Sequence, residues 1–123
     1  MVFGCRTKNL VPASRTFAGI KSGTAVCTDD GSAGFRGTAG DYLKSIEQTI
    51  SSDTVVYACG PTPLLKACHE FSARRGCGCF VSVEQVMACG VGACLGCAVK
   101  AAEGGYKRAC TDGPVFNSKE LQW

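Results

Sequence analysis

No run of apolar residues in the 123-residue sequence approaches the roughly 18 needed to cross a bilayer. The opening stretch, MVFGCRTKNLVPASR, lacks the apolar core and cleavage pattern of a secretory leader. The chain is therefore expected to be cytoplasmic, where thiols stay reduced. No G-x-G-x-x-G and no Walker pattern occurs, so the usual glycine-rich phosphate cradle is lacking. Charge is scarce as well, 13 Lys and Arg against 10 Asp and Glu, for a net charge of +3. Arg15, Lys21, Arg36, Lys44 and Lys66 are scattered, and only Arg74–Arg75 and Lys107–Arg108 are adjacent. That distribution gives no basic stripe for nucleic acid and reads as a solvated surface. The single histidine, His69, is expected on the outer side of a helix.

Cysteine and glycine are abundant instead, with 10 of the first and 16 of the second. In an exported chain, ten cysteines would suggest a disulfide scaffold. Without export, clustered cysteines point to metal ligation. Hydrophobic residues make up 46% and charged residues 19%, an ordinary globular composition. The length suits one compact domain, or one domain with a small appendage.

Strands and helices alternate in the first two thirds of the chain. MVFGCRT reads as the end of a short apolar strand followed by a turn, and TAVCT as a second strand, stopped by Asp29-Asp30-Gly31. Gly31, Gly34, Gly37 and Gly40 recur every third residue and mark a flexible or ligand-facing loop. Asp41 to Ile50 places Tyr42, Leu43, Ile46 and Ile50 on one helix face. TVVYA is a buried strand, ended by Cys59-Gly60-Pro61. A helix follows, with Thr62 as expected N-cap, Pro63 at its first position, and Leu64, Leu65, Cys68 and Phe71 inward. Gly76 stops it and FVSV forms the next strand. This alternation predicts α/β architecture with parallel βαβ units over residues 1–86. Beyond Val86 only short strands near Ala98–Lys100 and Tyr106–Ala109 are expected, so 87–123 reads as a small second domain.

That second segment carries the most specific pattern, Cys89-x4-Cys94-x2-Cys97-x12-Cys110. C-x4-C-x2-C followed by a distant cysteine is the spacing of plant-type [2Fe–2S] sites. A loop wrapped around the cluster supplies three thiolates, and a neighbouring strand supplies the fourth. Gly90, Gly92 and Gly96 let the backbone turn tightly and aim N–H groups at sulfur. A zinc site is the alternative, although zinc cysteines usually come as two short-spaced pairs and only Cys94–Cys97 is such a pair. Disulfides or free thiols are a third reading. Of the remaining cysteines, Cys27 and Cys68 are expected in the core, and Cys77 and Cys79 are read as plain thiols at a strand start.

VVYACGPTPLLKA, FVSVEQVMACGVGACLGCAVK and YKRACTDGPVF together resemble the C-terminal part of the electron-transfer subunits of dihydroorotate dehydrogenase B. Those subunits belong to the ferredoxin-NADP reductase-like superfamily. GCRTK and TDDGSAGFRG resemble their nucleotide-binding domain, so the likeness covers essentially the whole chain. The resemblance implies part of a parallel nucleotide-binding sheet of the ferredoxin-reductase type over 1–86, followed by a [2Fe–2S] domain over 87–123. It implies that Cys89, Cys94, Cys97 and Cys110 are the cluster ligands. It implies that Cys59, Gly60 and Pro61 lie beside the nicotinamide of NAD. It implies that Thr28, Asp29, Asp30 and Gly31, with Gly4 to Thr7, sit in loops where the dinucleotide lies. In that family, electrons from dihydroorotate, oxidised at FMN in a partner subunit, pass through the cluster to FAD and then NAD, serving pyrimidine biosynthesis.

The family's FAD-binding barrel, and the first strand and glycine-rich turn of its NAD domain, have no counterpart in the sequence. The expectation is a truncated subunit, a fragment or a divergent remnant that does not hold FAD alone and whose NAD binding is weakened, with a separate chain as one source of the barrel. A missing strand leaves sheet edges unpaired, which predicts marginal stability or self-association. Two further readings are a stand-alone ferredoxin-like carrier and a non-catalytic zinc-binding interaction module.

Overall fold

The computed structural model describes residues 1–11 and 23–123; Arg15 and Lys21 lie outside the described residues. The chain divides into two compact units, Met1–Gln48 and Thr49–Trp123. The boundary expected near residue 86 falls within the second.

In the first unit, β1 (Val2–Cys5), β2 (Ala25–Thr28) and β3 (Phe35–Arg36) form a parallel sheet in that order. Cys27 is fully buried, as its place in an apolar run implies. The two-residue β3 lies inside the glycine-rich loop and was not foreseen, because it is too short to show a period. Helix α1 (Ala39–Ser45) begins two residues before its expected start and ends five before its expected end. A capping box sets the start: Thr38 Oγ1 accepts from the Asp41 N–H at 3.1 Å, and the Asp41 carboxylate accepts from the Thr38 N–H at 3.1 Å. Beyond Ser45 the chain tightens into a 3-10 turn at Glu47–Thr49.

The second unit holds β4 (Val55–Cys59), α2 (Thr62–Arg75), β5 (Gly78–Ser82), β6 (Ala98–Lys100), β7 (Tyr106–Arg108) and β8 (Val115–Asn117). β4 runs parallel to β5 across α2, as the alternation predicts, and β8 joins the other side of β5 antiparallel. β6 and β7 pair antiparallel as a separate ribbon. Val56, Ala58, Cys79, Val81 and Phe116 share one sheet face by register and alternation. Leu65, Cys68 and Phe71 of α2 are buried with Cys79, Val81 and Phe116 in the core of this unit. Cys77 and Cys79 are therefore core residues, two positions apart on one side of the chain. Thr62 is already helical; Pro61 occupies the N-cap and gives no side-chain cap, which corrects the expected Thr62 cap by one residue. Gly76 ends α2 in the left-handed conformation at φ 68°. No helix among the described residues is long and apolar enough to cross a membrane.

Two outcomes follow. Phe71 is 1% exposed, so Phe71→Ala should cost about 3–5 kcal/mol in chemical denaturation; a cost below about 1 kcal/mol would refute this core. Hydrogen bonds from Thr38, side chain first and backbone second, hold the Asp41 carboxyl below its ordinary value of 3.8. A lowered carboxyl contributes stability above the unfolded value and loses it as pH falls through the folded one. The destabilisation by Asp41→Asn should thus be largest near neutral pH and shrink below about pH 4. An equal effect at pH 7 and pH 2.5 in urea melts would count against the capping box.

Candidate functional site

Between β5 and β6 the backbone has no regular structure, and all three closely spaced cysteines lie there. Gly90 and Gly92 take φ of 69° and 79°, and Leu95 adopts 59°. A non-glycine residue in the left-handed region is strained, and such strain collects at functional loops. These turns point backbone N–H groups inward. The N–H of Gly96 lies 3.4 Å from Cys94 Sγ. The Cys89 thiol is brought down to about 6 by the N–H of Cys94, then that of Val91, then the Cys94 thiol, with Ala93 adding to them. Cys89 and Cys94 therefore form one pair inside the loop.

Cys97 and Cys110 form the second pair, their sulfurs 3.2 Å apart. Cys97 is lowered, first by the backbone N–H of Cys110 and then by its thiol. Cys110 is raised by the hydrogen bond to Cys97, while the N–H of Gly92 acts in the opposite sense. The Cys97 carbonyl accepts from the Ala109 N–H at 3.1 Å, which fixes the pair across the β6–β7 ribbon. Cys89 and Cys94 are exposed, Cys97 is buried and Cys110 is half-buried.

The turn that carries Cys110 is clamped by a residue the sequence reading did not single out. Asp112 accepts from the Arg108 N–H at 2.7 Å and faces the Arg108 guanidinium at 3.4 Å. A Cβ on Gly92 would lie 3.1 Å from Thr111 Cγ2 and 3.2 Å from an Arg108 guanidinium nitrogen. The loop thus presses directly on this turn. The motif RACTD carried a signal for it, an Arg and an Asp four residues apart around Cys110.

Among the described residues, no three His, Cys, Asp or Glu side chains converge to hold one metal ion. Two thiol pairs, however, are the donor division of a diiron cluster, in which each iron takes two thiolates. The N–H groups around the sulfurs are the donors that stabilise its negative charge. The residues present fit a [2Fe–2S] group. The buried thiols differ. Burial first, and the nearby Cys79 second, push Cys68 up to about 11, and burial raises Cys79 and Cys27. Those three are protonated core groups.

The loops expected to contact a dinucleotide are on different units. In the first, Thr28 is buried and its hydroxyl donates to the Ala33 carbonyl at 2.7 Å, so its side chain closes its own loop. The Asp30 carboxylate accepts from Ser32 N–H at 2.9 Å and Ser32 Oγ at 2.6 Å, and these bonds, hydroxyl first, lower it. The Lys8 N–H donates to Ser32 Oγ at 2.8 Å, tying the segment after β1 to the loop after β2. Asp29 is exposed, with its N–H on the Cys5 carbonyl at 3.1 Å, and Gly31 turns at φ 74°. In the second unit, Cys59 is exposed at the end of β4 and Gly60 takes φ 147°. Gly60 and Pro61 line an open cleft of about 370 Å³ whose other walls include Glu84, Lys100 and Trp123. His69 is not the plain surface residue expected: its Nδ1 lies 3.1 Å from Ser118 Oγ and its ring stacks on Trp123 at 5.5 Å.

The model of the iron–sulfur cluster binding domain of dihydroorotate dehydrogenase B matches residues 84–122, which include both thiol pairs. The electron transfer subunit of the NAD-dependent dihydroorotate dehydrogenase B of Geobacillus thermodenitrificans is 43% identical over 122 residues, 98% of this chain. The chain belongs to the family of dihydroorotate dehydrogenase B electron-transfer subunits. The corresponding subunit of Caldanaerobacter subterraneus is 46% identical over 99 residues. A chain from the structure of the NADH-dependent reduced ferredoxin-NADP oxidoreductase, a system of flavin-based electron bifurcation, superposes with a TM-score of 0.81 at 34% identity. That match covers 99% of this chain and 43% of the other. The chain spans under half the length of these relatives, 45% of the Geobacillus subunit and 39% of the Caldanaerobacter one.

Gly92→Val places a branched side chain at positive φ against Thr111 and should lower iron and sulfide per chain at least about fivefold after anaerobic reconstitution. Gly90→Val, with open space around it, should lose less. Equal loads in the two variants would show that the contact with the Cys110 turn does not matter.

Proposed function

We propose that this chain is the iron–sulfur relay portion of an NAD-linked flavin oxidoreductase, with Cys89, Cys94, Cys97 and Cys110 as cluster ligands. The observation that carries the reading is the division of these four thiols into two pairs, set among inward-pointing N–H groups. The cluster, when bound, supplies reversible one-electron transfer. The chain's residues supply the rest. The N–H groups of Val91, Cys94 and Gly96 face sulfur and favour the more negative, reduced state. The Arg108–Asp112 clamp holds the Cys110 turn in place. Cys89 and Cys94 are exposed, so the loop presents one side to an electron partner.

The names of the relatives make dihydroorotate the proposed electron source and NAD the acceptor. The proposed partner is an FMN-containing catalytic subunit, with FAD held by a domain outside this chain. Within the chain, residues 87–123 would form the cluster domain and 1–86 part of the NAD-binding domain. Gly60 and Pro61 at the cleft, Cys59 before them at the end of β4, and the loop of Thr28 to Gly31 are the proposed nucleotide contacts. Asp29 and the backbone are the groups in that loop best placed to meet a ligand, because Thr28 and Asp30 bond within it. This chain is an electron-transfer component and does not carry out dihydroorotate oxidation alone.

The test is a visible spectrum and EPR of anaerobically purified chain before and after dithionite. A brown protein that bleaches and gives a rhombic spin-half signal is expected. Single Cys→Ser changes at the four ligand positions should abolish or shift that signal, and Cys68→Ser should leave it unchanged. A colourless chain that binds zinc and resists reconstitution would overturn the reading.

A further inference from the structure

The cysteine loop brings no charge of its own. From Gln85 to Val99 the sequence holds no Asp, Glu, Lys, Arg or His. Charge reaches the loop from the end of β7, where Arg108 and Asp112 stand two residues to either side of Cys110. The two are not equivalent. A Cβ on Gly92 would lie 3.2 Å from Arg108 Nη1, so the guanidinium sits against the loop. Asp112 holds another edge of that group: its Oδ1 faces Nη2 at 3.4 Å, while its Oδ2 accepts from the Arg108 N–H at 2.7 Å. Lys107 is directed elsewhere, since neighbouring side chains of a strand point to opposite faces. Its ammonium pairs with Glu120 and lies 5.8 Å from the Phe116 ring centroid. Of the two adjacent cations on β7, Arg108 is the one at the loop.

We propose that Arg108 raises, and Asp112 lowers, the reduction potential of the group held by the four thiols. The inference rests on the [2Fe–2S] reading above and goes beyond it by giving a role to charges that are not ligands. One electron enters, no bond forms or breaks, and the thiolate-bound group becomes one unit more negative. A cation against the loop favours that state, and a carboxylate behind the cation opposes it. Arginine suits the role because its charge persists at every working pH. The Arg108 and Asp112 side chains are 42% and 35% exposed, so salt screens their field in part. Asp112 also holds the turn, and the two roles come apart on substitution. Asparagine at 112 keeps an acceptor for the Arg108 N–H and removes the charge.

The test is a redox titration of the reconstituted full chain, followed by EPR at low ionic strength. At a fixed ambient potential, Arg108→Gln should lower the ratio of reduced to oxidised chains at least about threefold, which is about 28 mV at about 59 mV per tenfold change for one electron. Asp112→Asn should raise the ratio by a similar factor, and Arg108→Lys, which keeps the charge, should stay near the unsubstituted chain. Lys107→Gln removes the same charge one residue away and should shift the ratio less than Arg108→Gln. These differences should shrink at about 1 M salt, where charges are screened beyond about 3 Å. A merely distorted turn gives no reason for the two substitutions to act in opposite directions. If Arg108→Gln holds too little iron and sulfide to titrate, Asp112→Asn carries the test. Unshifted potentials, or shifts of one sign in Arg108→Gln and Asp112→Asn, would overturn the proposal and leave the cluster reading standing. An unsubstituted chain that takes up no iron and sulfide would overturn that reading, and the proposal with it.

Discussion

The second unit depends on the burial of β5. Val81 has no exposed surface; its strand pairs with β4 on one side and β8 on the other, and its inner face lies in the core shared with α2. Everything that positions the cysteines starts from this strand. Its end launches the irregular loop, and the pairing of β8 with it returns the chain from the Cys110 turn. If β5 were not held on three sides, the start of the loop and the end of the turn would have no common anchor.

The loop itself solves a hydrogen-bonding problem. A segment from Val83 to Cys97 without helix or ladder has amide groups that need partners. Gly90, Gly92 and Leu95 at positive φ turn several of these groups toward sulfur. The same bonds that satisfy the backbone lower Cys89 and Cys97 toward the thiolate form that ligation requires. Local folding and the lowering of these thiols are thus one arrangement, completed by Gly92 against Thr111 and by Asp112 across its turn.

The cysteines fall into contrasting surroundings. Cys68 and Cys79 lie under α2 and their neutral form is favoured by burial. Cys89 and Cys94 lie in a solvent-facing loop among N–H donors. The thiols have the same chemistry, and their surroundings shift Cys68 and Cys89 in opposite directions. The β4-β5-β8 sheet is a second asymmetry: α2 lies against one face, and Tyr57 and Val115 on the other are exposed.

Much of this was legible from residue order. Short-range signals determine the strands VFGC, AVCT and VVYAC and the helix from Thr62 to Gly76: branched and aromatic runs, apolar spacing and a glycine stop all act within a few residues. The four-cysteine spacing is likewise a local signal, and it is the basis of the proposed cluster site. What escaped depended on partners distant in sequence. β3 and β8 are two and three residues long, and only the neighbouring β2 and β5 make them strands. Cys77 and Cys79 became core residues because α2 lies over them. His69 acquired Ser118 and Trp123, about fifty positions away. Which cysteine pairs with which, and that Asp112 clamps their turn, were decided by tertiary structure, because a hydrogen bond between loops depends on how two separately anchored segments meet and not on the residues of either one alone.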